Sequence, residues 1–219
     1  MPAAEGGKRA AREGAPGRAD REEARARRAP TRGQATRGEL VAVARELFAE
    51  RGYAGVGTQE IVARAGVTRG ALYHHFEDKR DLFRSVHEEL EQRLVADIGE
   101  RIQGIDDPWE LLTTGVRAFL DACTDPAVIR ISLLDAPVVL GWQEWREIDA
   151  RYGLGLVSFG LQNAMERGVF ARREVRPLAH VLIGAMTEAA MVIANARNHA
   201  AARREVEPPL LALLEGLRS

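Results

Sequence analysis

The sequence predicts an all-α protein of about nine helices. Alanine, leucine, arginine and glutamate are abundant, while aromatics make up only 5% of the 219 residues. That balance favours helices over sheets. Apolar residues recur at helical spacing between punctuating glycines and prolines, and no stretch alternates as a strand would. Hydrophobic residues reach 46%, enough to fill a packed core, and the length allows one or two domains.

Residues 1–35 carry almost no large apolar side chain, so they are expected to form a disordered basic tail. The first 37 residues hold ten Lys/Arg against five Asp/Glu. The tail is either a solvated extension or an arm adding phosphate contacts through Arg25, Arg27, Arg28 and Arg32. From Gly38 the pattern turns helical. Leu40, Val41, Ala44, Leu47 and Phe48 share one face, and Gly52 stops the helix. A short second helix carries Ile61, Val62 and Ala65. Its N-cap falls on Gly57 with Glu60 three residues on, a capping box that has lost its hydroxyl. Thr58 lies in the first turn, where a hydroxyl and free N–H groups suit a phosphate.

Gly66 ends that helix and Thr68 caps a third. A helical wheel sets Arg69, Gly70, Tyr73 and His74 on one side and Leu72 and Phe76 on the other, with His75 nearer the inner side. This helix is too short and too polar to be a core element. It reads as the second half of a helix-turn-helix, the kind of helix that is presented to DNA. The module, residues 36–83, is not globally basic: Gly38–Phe83 holds six basic and seven acidic residues. Affinity for DNA must then come from a few placed contacts and the tail.

After Glu77-Asp78-Lys79 a long connector helix runs through Leu82, Phe83, Val86, Leu90, Leu94, Ile98 and Ile102 into a second region, residues 84–219. Asp107-Pro108 starts the next helix, with Trp109, Leu112, Val116, Phe119 and Leu120 inward. Pro126 and Pro137 bracket a short helix through Ile129, Leu133 and Leu134. Gly141 precedes a stretch to Arg167 rich in glycine and aromatics. Pro177–Arg197 is strongly apolar, with small residues Gly184, Ala185, Ala189 and Ala190. Pro208-Pro209 is expected to begin the last helix, on Leu210, Leu211, Leu213, Leu214 and Leu217.

Other functions find little support. Cys123, between Ala122 and Thr124, reads as a small buried hydrophobe in a reducing compartment. No apolar leader or run of about 20 uninterrupted apolar residues is found. A cytoplasmic protein without a membrane role is expected. No Gly-rich phosphate loop, metal-ligand spacing or Ser/Cys–His set marks an enzyme. His74 and His75 are expected to point apart, and His87, His180 and His199 are scattered. Neither a cofactor nor a metal site is expected.

Gly38–Phe83 resembles the DNA-binding domain of TetR-type transcriptional regulators. The resemblance rests on Ala44…Leu47-Phe48…Gly52-Tyr53, then Ile61…Ala65-Gly66-Val67-Thr68…Gly70…Leu72-Tyr73…His75-Phe76…Lys79…Leu82. The sequence departs at Val56 and Gly57, near which the family usually carries Ser or Thr; Thr58 is the substitute. The remainder resembles the family's helical regulatory domain in layout. The resemblance implies a homodimeric, ligand-responsive regulator, a repressor on a palindromic operator in double-stranded DNA. Control by a protein partner, or action as an activator, is the alternative.

By the same resemblance Arg69 and Gly70 reach base edges, where an Arg–guanine pair contributes about 1–3 kcal/mol of discrimination. Tyr73 and His74 meet phosphate or a thymine methyl. Lys79 brings its charge to the positive end of a helix. Thr58, Gln59, Thr68 and His75 complete the expected DNA-binding set. The plain alternatives are Arg69 on phosphate only, Tyr73 in packing, a structural His75 and a solvated Lys79. For the second region the resemblance implies a pocket for a small hydrophobic or amphipathic ligand. Its expected lining is Trp109, Phe119, Arg130, Leu133, Trp142, Trp145, Tyr152 and Glu188. Trp142, Trp145 and Tyr152 read equally as a core stripe. Glu188 is expected to pair with Arg130, line the cavity or lie exposed; Asp121 is a weaker candidate. The last two helices are expected to form half of a four-helix dimer interface, which would space two recognition helices about 34–36 Å apart. A ligand would tilt the connector helix and change that spacing.

Overall fold

The computed structural model describes residues 31–218. The expected tail up to residue 30, with Arg25, Arg27 and Arg28, lies outside the described residues, as does Ser219. The chain divides into two compact units, one ending at Ala35 and one beginning at Thr36. Within the first unit, residues 31–35 already enter a helix. Thr31 and Gln34 form a capping box: the Thr31 N–H donates to Gln34 Oε1 at 2.9 Å and the Gln34 N–H to Thr31 Oγ1 at 3.3 Å. Helix therefore begins at Arg32, inside the segment expected to be tail.

The elements in order are α1 (Arg32–Arg51), α2 (Thr58–Arg64), α3 (Arg69–His75), α4 (Lys79–Ile102) and α5 (Pro108–Ala122), then a π-helical segment (Val128–Asp135). After it come α6 (Ala136–Val139), α7 (Trp142–Glu166), α8 (Val175–Asn195) and α9 (His199–Glu215). The described residues hold no strand, only an isolated antiparallel bridge between Phe170 and Arg218. The all-α expectation holds. Helix starts follow the caps read from the sequence. Thr68 accepts from the Ala71 N–H at 3.2 Å, Asp78 from Asp81 at 2.7 Å and Asp107 from Glu110 at 2.7 Å.

The core of the helix-turn-helix region joins Leu40, Leu47, Phe48, Ile61, Leu72 and Phe83, and Phe48, Tyr53 and Phe83 pack as a ring trio with centroids 5.1–5.8 Å apart. It does not end at residue 83. Ile131, Ala136, Leu140, Trp145 and Ile148 belong to the same buried cluster. The second unit is thus continuous across the boundary expected at residues 83 and 84. Beyond it, α7 packs on α8, α8 on α9, and α4 on both α5 and α7.

Two elements differ from expectation. The segment between Pro126 and Pro137 is helical but wound at π pitch; Ile131 packs into the first core and Ile129 and Leu133 into the second, with Ser132 also buried. The last helix starts at His199, capped by Asn198, rather than at Pro208-Pro209. The two prolines lie inside it and are exposed, so the carbonyls they leave unbonded can be hydrated. Helix α8 is long and apolar enough by composition to cross a membrane, with a mean hydropathy of 1.6 over a window within it. Its apolar run is broken by Arg176, His180, Thr187 and Glu188, so it does not amount to the uninterrupted stretch of about 20 apolar residues that the sequence lacks. Its Leu182, Met186, Ala190 and Ile193 are buried in the second core.

Gly52 and Gly66 end α1 and α2 with φ of +72° and +63°. Gly66→Ala should cost about 1–2 kcal/mol through backbone strain alone, because nothing lies within 4 Å of an added Cβ. Gly52→Ala should cost more, since its Cβ would overlap the Arg130 guanidinium. Urea unfolding of both variants checks the order, and equal losses would show that Arg130 swings clear.

Candidate functional site

Helix α3 is held by its apolar side and presents its polar one. Gly66 closes α2 with two bonds, its own N–H to Ala63 O at 3.3 Å and the Val67 N–H to Val62 O at 3.1 Å. This Schellman turn sets the angle between α2 and α3. Leu72 and Phe76 are buried, while Arg69, Gly70, Tyr73 and His74 are exposed and His75 is half-buried. The wheel is therefore borne out for these residues. The Tyr73 hydroxyl joins the two helices. A hydrogen bond with Thr58, then one with Arg69, holds its phenol below the usual pKa. The Arg69 guanidinium also sits 5.4 Å from the Tyr73 ring centre. Gln59 is exposed beside Thr58. No side chain caps α2 at Gly57.

Lys79 corrects the sequence reading. Its ammonium does not project from the start of α4. It donates to Tyr53 O and Val56 O, both at 2.7 Å, and lies 3.9 Å from the Tyr53 ring centre. Burial lowers its pKa. Lys79 is a strut that holds the 52–57 loop, and through it the start of α2. His74 and His75 also differ from expectation: their ring centres lie 5.1 Å apart. They remain two ligands at most, and no group of three that could hold a metal occurs among the described residues.

The same loop is tied to the helices beyond it. The Tyr53 N–H donates to Asp135 Oδ2 at 2.6 Å, and Arg130 pairs with Asp135 at 3.5 Å. At the second residue of α4, Arg80 donates to Val139 O at 3.1 Å, Leu140 O at 2.9 Å and Glu144 Oε2 at 2.6 Å. Arg84 pairs with the other Glu144 oxygen at 2.7 Å.

Between α4, α5, α7 and α8 lies a narrow, part-open cavity of about 80 Å³. Its wall is mostly Leu, Ile, Val, Phe119 and Met186, with Gly115, Gly153 and Gly160 leaving room. Glu91, Asp149 and Thr187 are its polar members. A smaller adjoining void is lined by Cys123, Ser132, Leu133 and Trp145 and shares Glu91, Asp149 and Thr187. Burial, with help from Asp149, pushes the Glu91 carboxyl up to about 8. Burial also raises Asp149 and drives His87 down to about 4. The Cys123 thiol is pushed up by burial, in keeping with an inert small hydrophobe.

Two family models match the chain: bacterial regulatory proteins of the tetR family over residues 40–86, and the tetracyclin repressor-like C-terminal domain over residues 109–217. The structure superposes on a TetR-family transcriptional regulator from Pectobacterium atrosepticum with a TM-score of 0.77. The two are 33% identical, over 86% of this chain and 98% of that one. The chain belongs to the TetR family of transcriptional regulators. It is also 32% identical over 119 residues to the transposon Tn10 TetC protein of Escherichia coli, 54% of this chain and 60% of that protein. It is 36% identical over 85 residues to the transcriptional activator FasR of Mycolicibacterium smegmatis, 39% of each. The matches thus span less than two thirds of these curated relatives' own length.

In this TetR-family chain the sequence-predicted pocket residues divide. Phe119 lines the cavity, and Leu133 and Trp145 line the void beside it. The other five do not. Trp109 packs on Phe170 at 6.3 Å and under the Arg218 guanidinium. Arg130 is held by Asp135. Trp142 is 63% exposed, stacked at 5.0 Å outside Trp145. The Tyr152 hydroxyl accepts from Gln92 at 3.0 Å. Glu188 is exposed on α8. Asp121 pairs with Arg101 at 3.3 Å and Arg203 at 2.8 Å. Glu91, Asp149 and Thr187 were missed, although Glu91 stands three residues before Leu94 and seven before Ile98, on the inward stripe of α4.

Glu91 makes stability depend on pH. Its folded pKa lies above its unfolded one, so the folded state keeps a proton that the unfolded state sheds. Stability should fall as pH rises towards 8. Below about pH 6.5 the buried neutral His87 acts in the opposite sense, and the two offset one another. The expected loss between about pH 6.5 and 8 is about 1–2 kcal/mol. Glu91→Gln should abolish it, and an undiminished slope in urea melts of that variant would reject Glu91 as the source.

Proposed function

We propose that this protein is a ligand-responsive, homodimeric, cytoplasmic regulator that binds a palindromic operator, acting as a repressor. The observation that carries the reading is the exposed Arg69 and Tyr73 of α3, packed against each other on a helix whose other side is buried by Leu72 and Phe76. Arg69 and Gly70 read base edges in the major groove, and Tyr73 and His74 flank them. Thr58, Gln59 and the uncapped start of α2 meet phosphate. Thr68 and the half-buried His75 hold α3 and approach the backbone.

Exposed Val181 and Val192 on α8 and Leu213 on α9 leave an apolar face near Gly184. Such a face suits a second copy related by a two-fold axis. The cavity gives a small ligand a place against α4. That helix also carries Lys79 and Arg80 at its other end. A ligand favouring one position of α4 would then favour one spacing of the paired recognition helices.

Footprinting on DNA flanking the protein's own coding region tests the reading. Two protected half-sites in inverted repeat support it; no protection at any flanking sequence counts against it. Arg69→Ala should cost more on the matched duplex than on a scrambled one, by about 1–3 kcal/mol. Equal loss on both would refute base reading. Lys79→Ala should lower stability by about 2 kcal/mol, because two carbonyls lose their donor, while leaving the salt slope of DNA binding unchanged. A slope reduced by about one unit would instead mean that Lys79 turns out to meet a phosphate.

A further inference from the structure

The cavity wall is uniform except at one place. Along most of its length it offers only apolar side chains and glycine. At one place α4 contributes Glu91 and α7 contributes Asp149. Asp149 has its own counter-charge: Arg146 donates to it at 2.7 Å and to Thr187 Oγ1 at 2.9 Å, and Thr187 lies 3.4 Å from Asp149. Glu91 has no such counter-charge. Among the described residues its one ion-pair neighbour within 4 Å is His87, at 3.7 Å. That imidazole is fully buried, already meets Ser132 Oγ at 3.1 Å, and is kept neutral by burial. Cys123, on the wall of the adjoining void, stays a neutral thiol. The Glu91 side chain is only 12% exposed, so water does little to stabilise its charge.

We propose that the cavity takes a lipophilic organic cation, with its apolar body along Leu94, Ile98, Phe119 and Leu156 and its ammonium head against Glu91. This rests on the reading of the cavity as the ligand site. An anion would add a third negative charge beside Glu91 and Asp149. A neutral occupant would leave Glu91 without a counter-charge. Arg146 already balances Asp149, so once Glu91 gives up its proton a cation alone supplies the counter-charge it lacks. In the empty protein a proton holds the place, since burial and Asp149 keep Glu91 protonated up to about pH 8. The cation displaces that proton, so its binding strengthens with rising pH.

The test is titration calorimetry on the full chain with three probes of one shape: 4-phenylbutylamine, 4-phenylbutanol and 4-phenylbutyrate. At about pH 8.5 the amine should bind at least about tenfold tighter than the alcohol. Its affinity should rise about tenfold or more from about pH 6.5, with proton release seen as a buffer-dependent heat. Glu91→Gln should erase both the preference and the pH dependence, and leave alcohol binding within about twofold. The wild-type comparison stands alone if that variant does not fold. Alcohol or butyrate binding as tightly as the amine overturns the inference but leaves the cavity as a ligand site. A preference surviving in Glu91→Gln overturns it too, because the head must then lie elsewhere. No binding of any probe, in protein that still binds DNA, overturns the ligand-site reading and this inference together.

Discussion

The position of the DNA-facing surface depends on how the 52–57 loop is held. Gly52 turns the chain out of α1 with a left-handed φ, and three polar ties then hold the chain beyond it. Lys79 gathers two carbonyls of the loop, Asp135 receives the Tyr53 N–H, and Arg80 anchors the start of α4 to two carbonyls beyond the π-helical segment. The ties are charge-assisted and part-buried, the setting in which hydrogen bonds contribute most. Thr58 leaves this loop directly, Tyr73 meets Thr58, and Arg69 lies against Tyr73. A displacement of α4 relative to α6 and α7 therefore has a short route to Arg69, through groups in contact and without a flexible linker.

Charge counting along the sequence does not say which cations of the helix-turn-helix region are free to meet a phosphate. Its six basic and seven acidic residues suggest a surface with no bias. In the structure Arg51 pairs with Glu60 at 2.5 Å and Arg64 with Glu46 at 3.0 Å, all four more than two-fifths exposed. Such pairs contribute only about 0–1 kcal/mol. An arriving phosphate can take either arginine from its carboxylate at little cost. Lys79 and Arg80, by contrast, are committed to the interior. Arg45 is half-buried, which leaves Arg51, Arg64 and Arg69 as the exposed cations of the region, a set fixed by packing and partners rather than by composition.

The sequence made α1 to α4 legible because their signals are local. Gly52, Gly66 and the Thr68 cap each act within a few residues, and Leu72 and Phe76 anchor α3 at helical spacing. The cavity was less legible because four helices distant in sequence make it. Trp142 and Glu188 looked like pocket residues by chemistry alone. Gly141, at φ +84°, starts α7 so that Trp142 stays outside, and Glu188 turns outward on α8 while Thr187 turns in. The π-helical segment was hidden for the opposite reason: nothing in the eight residues from Val128 to Asp135 distinguishes a wide turn from an ordinary one. Asp149 was recoverable in principle, since it follows Trp145 by four residues and precedes Gly153 by four on the inward stripe of α7.

Glu91 is where local and global demands conflict. An apolar residue at that position would complete the stripe of α4 and remove the desolvation that raises its pKa. The chain instead keeps a carboxyl there, beside a second one whose paired cation, Arg146, is shared with Thr187. Natural folds are locally consistent over most of their length, and breaches of that consistency gather at functional sites. This breach falls on an apolar cavity wall, on the helix whose other end holds the DNA-facing loop. A group that weakens the unliganded fold in proportion to its ionisation also makes the fold sensitive to whatever neutralises it. The strain at Glu91 and the proposed response of α4 to an occupant are therefore two aspects of one arrangement.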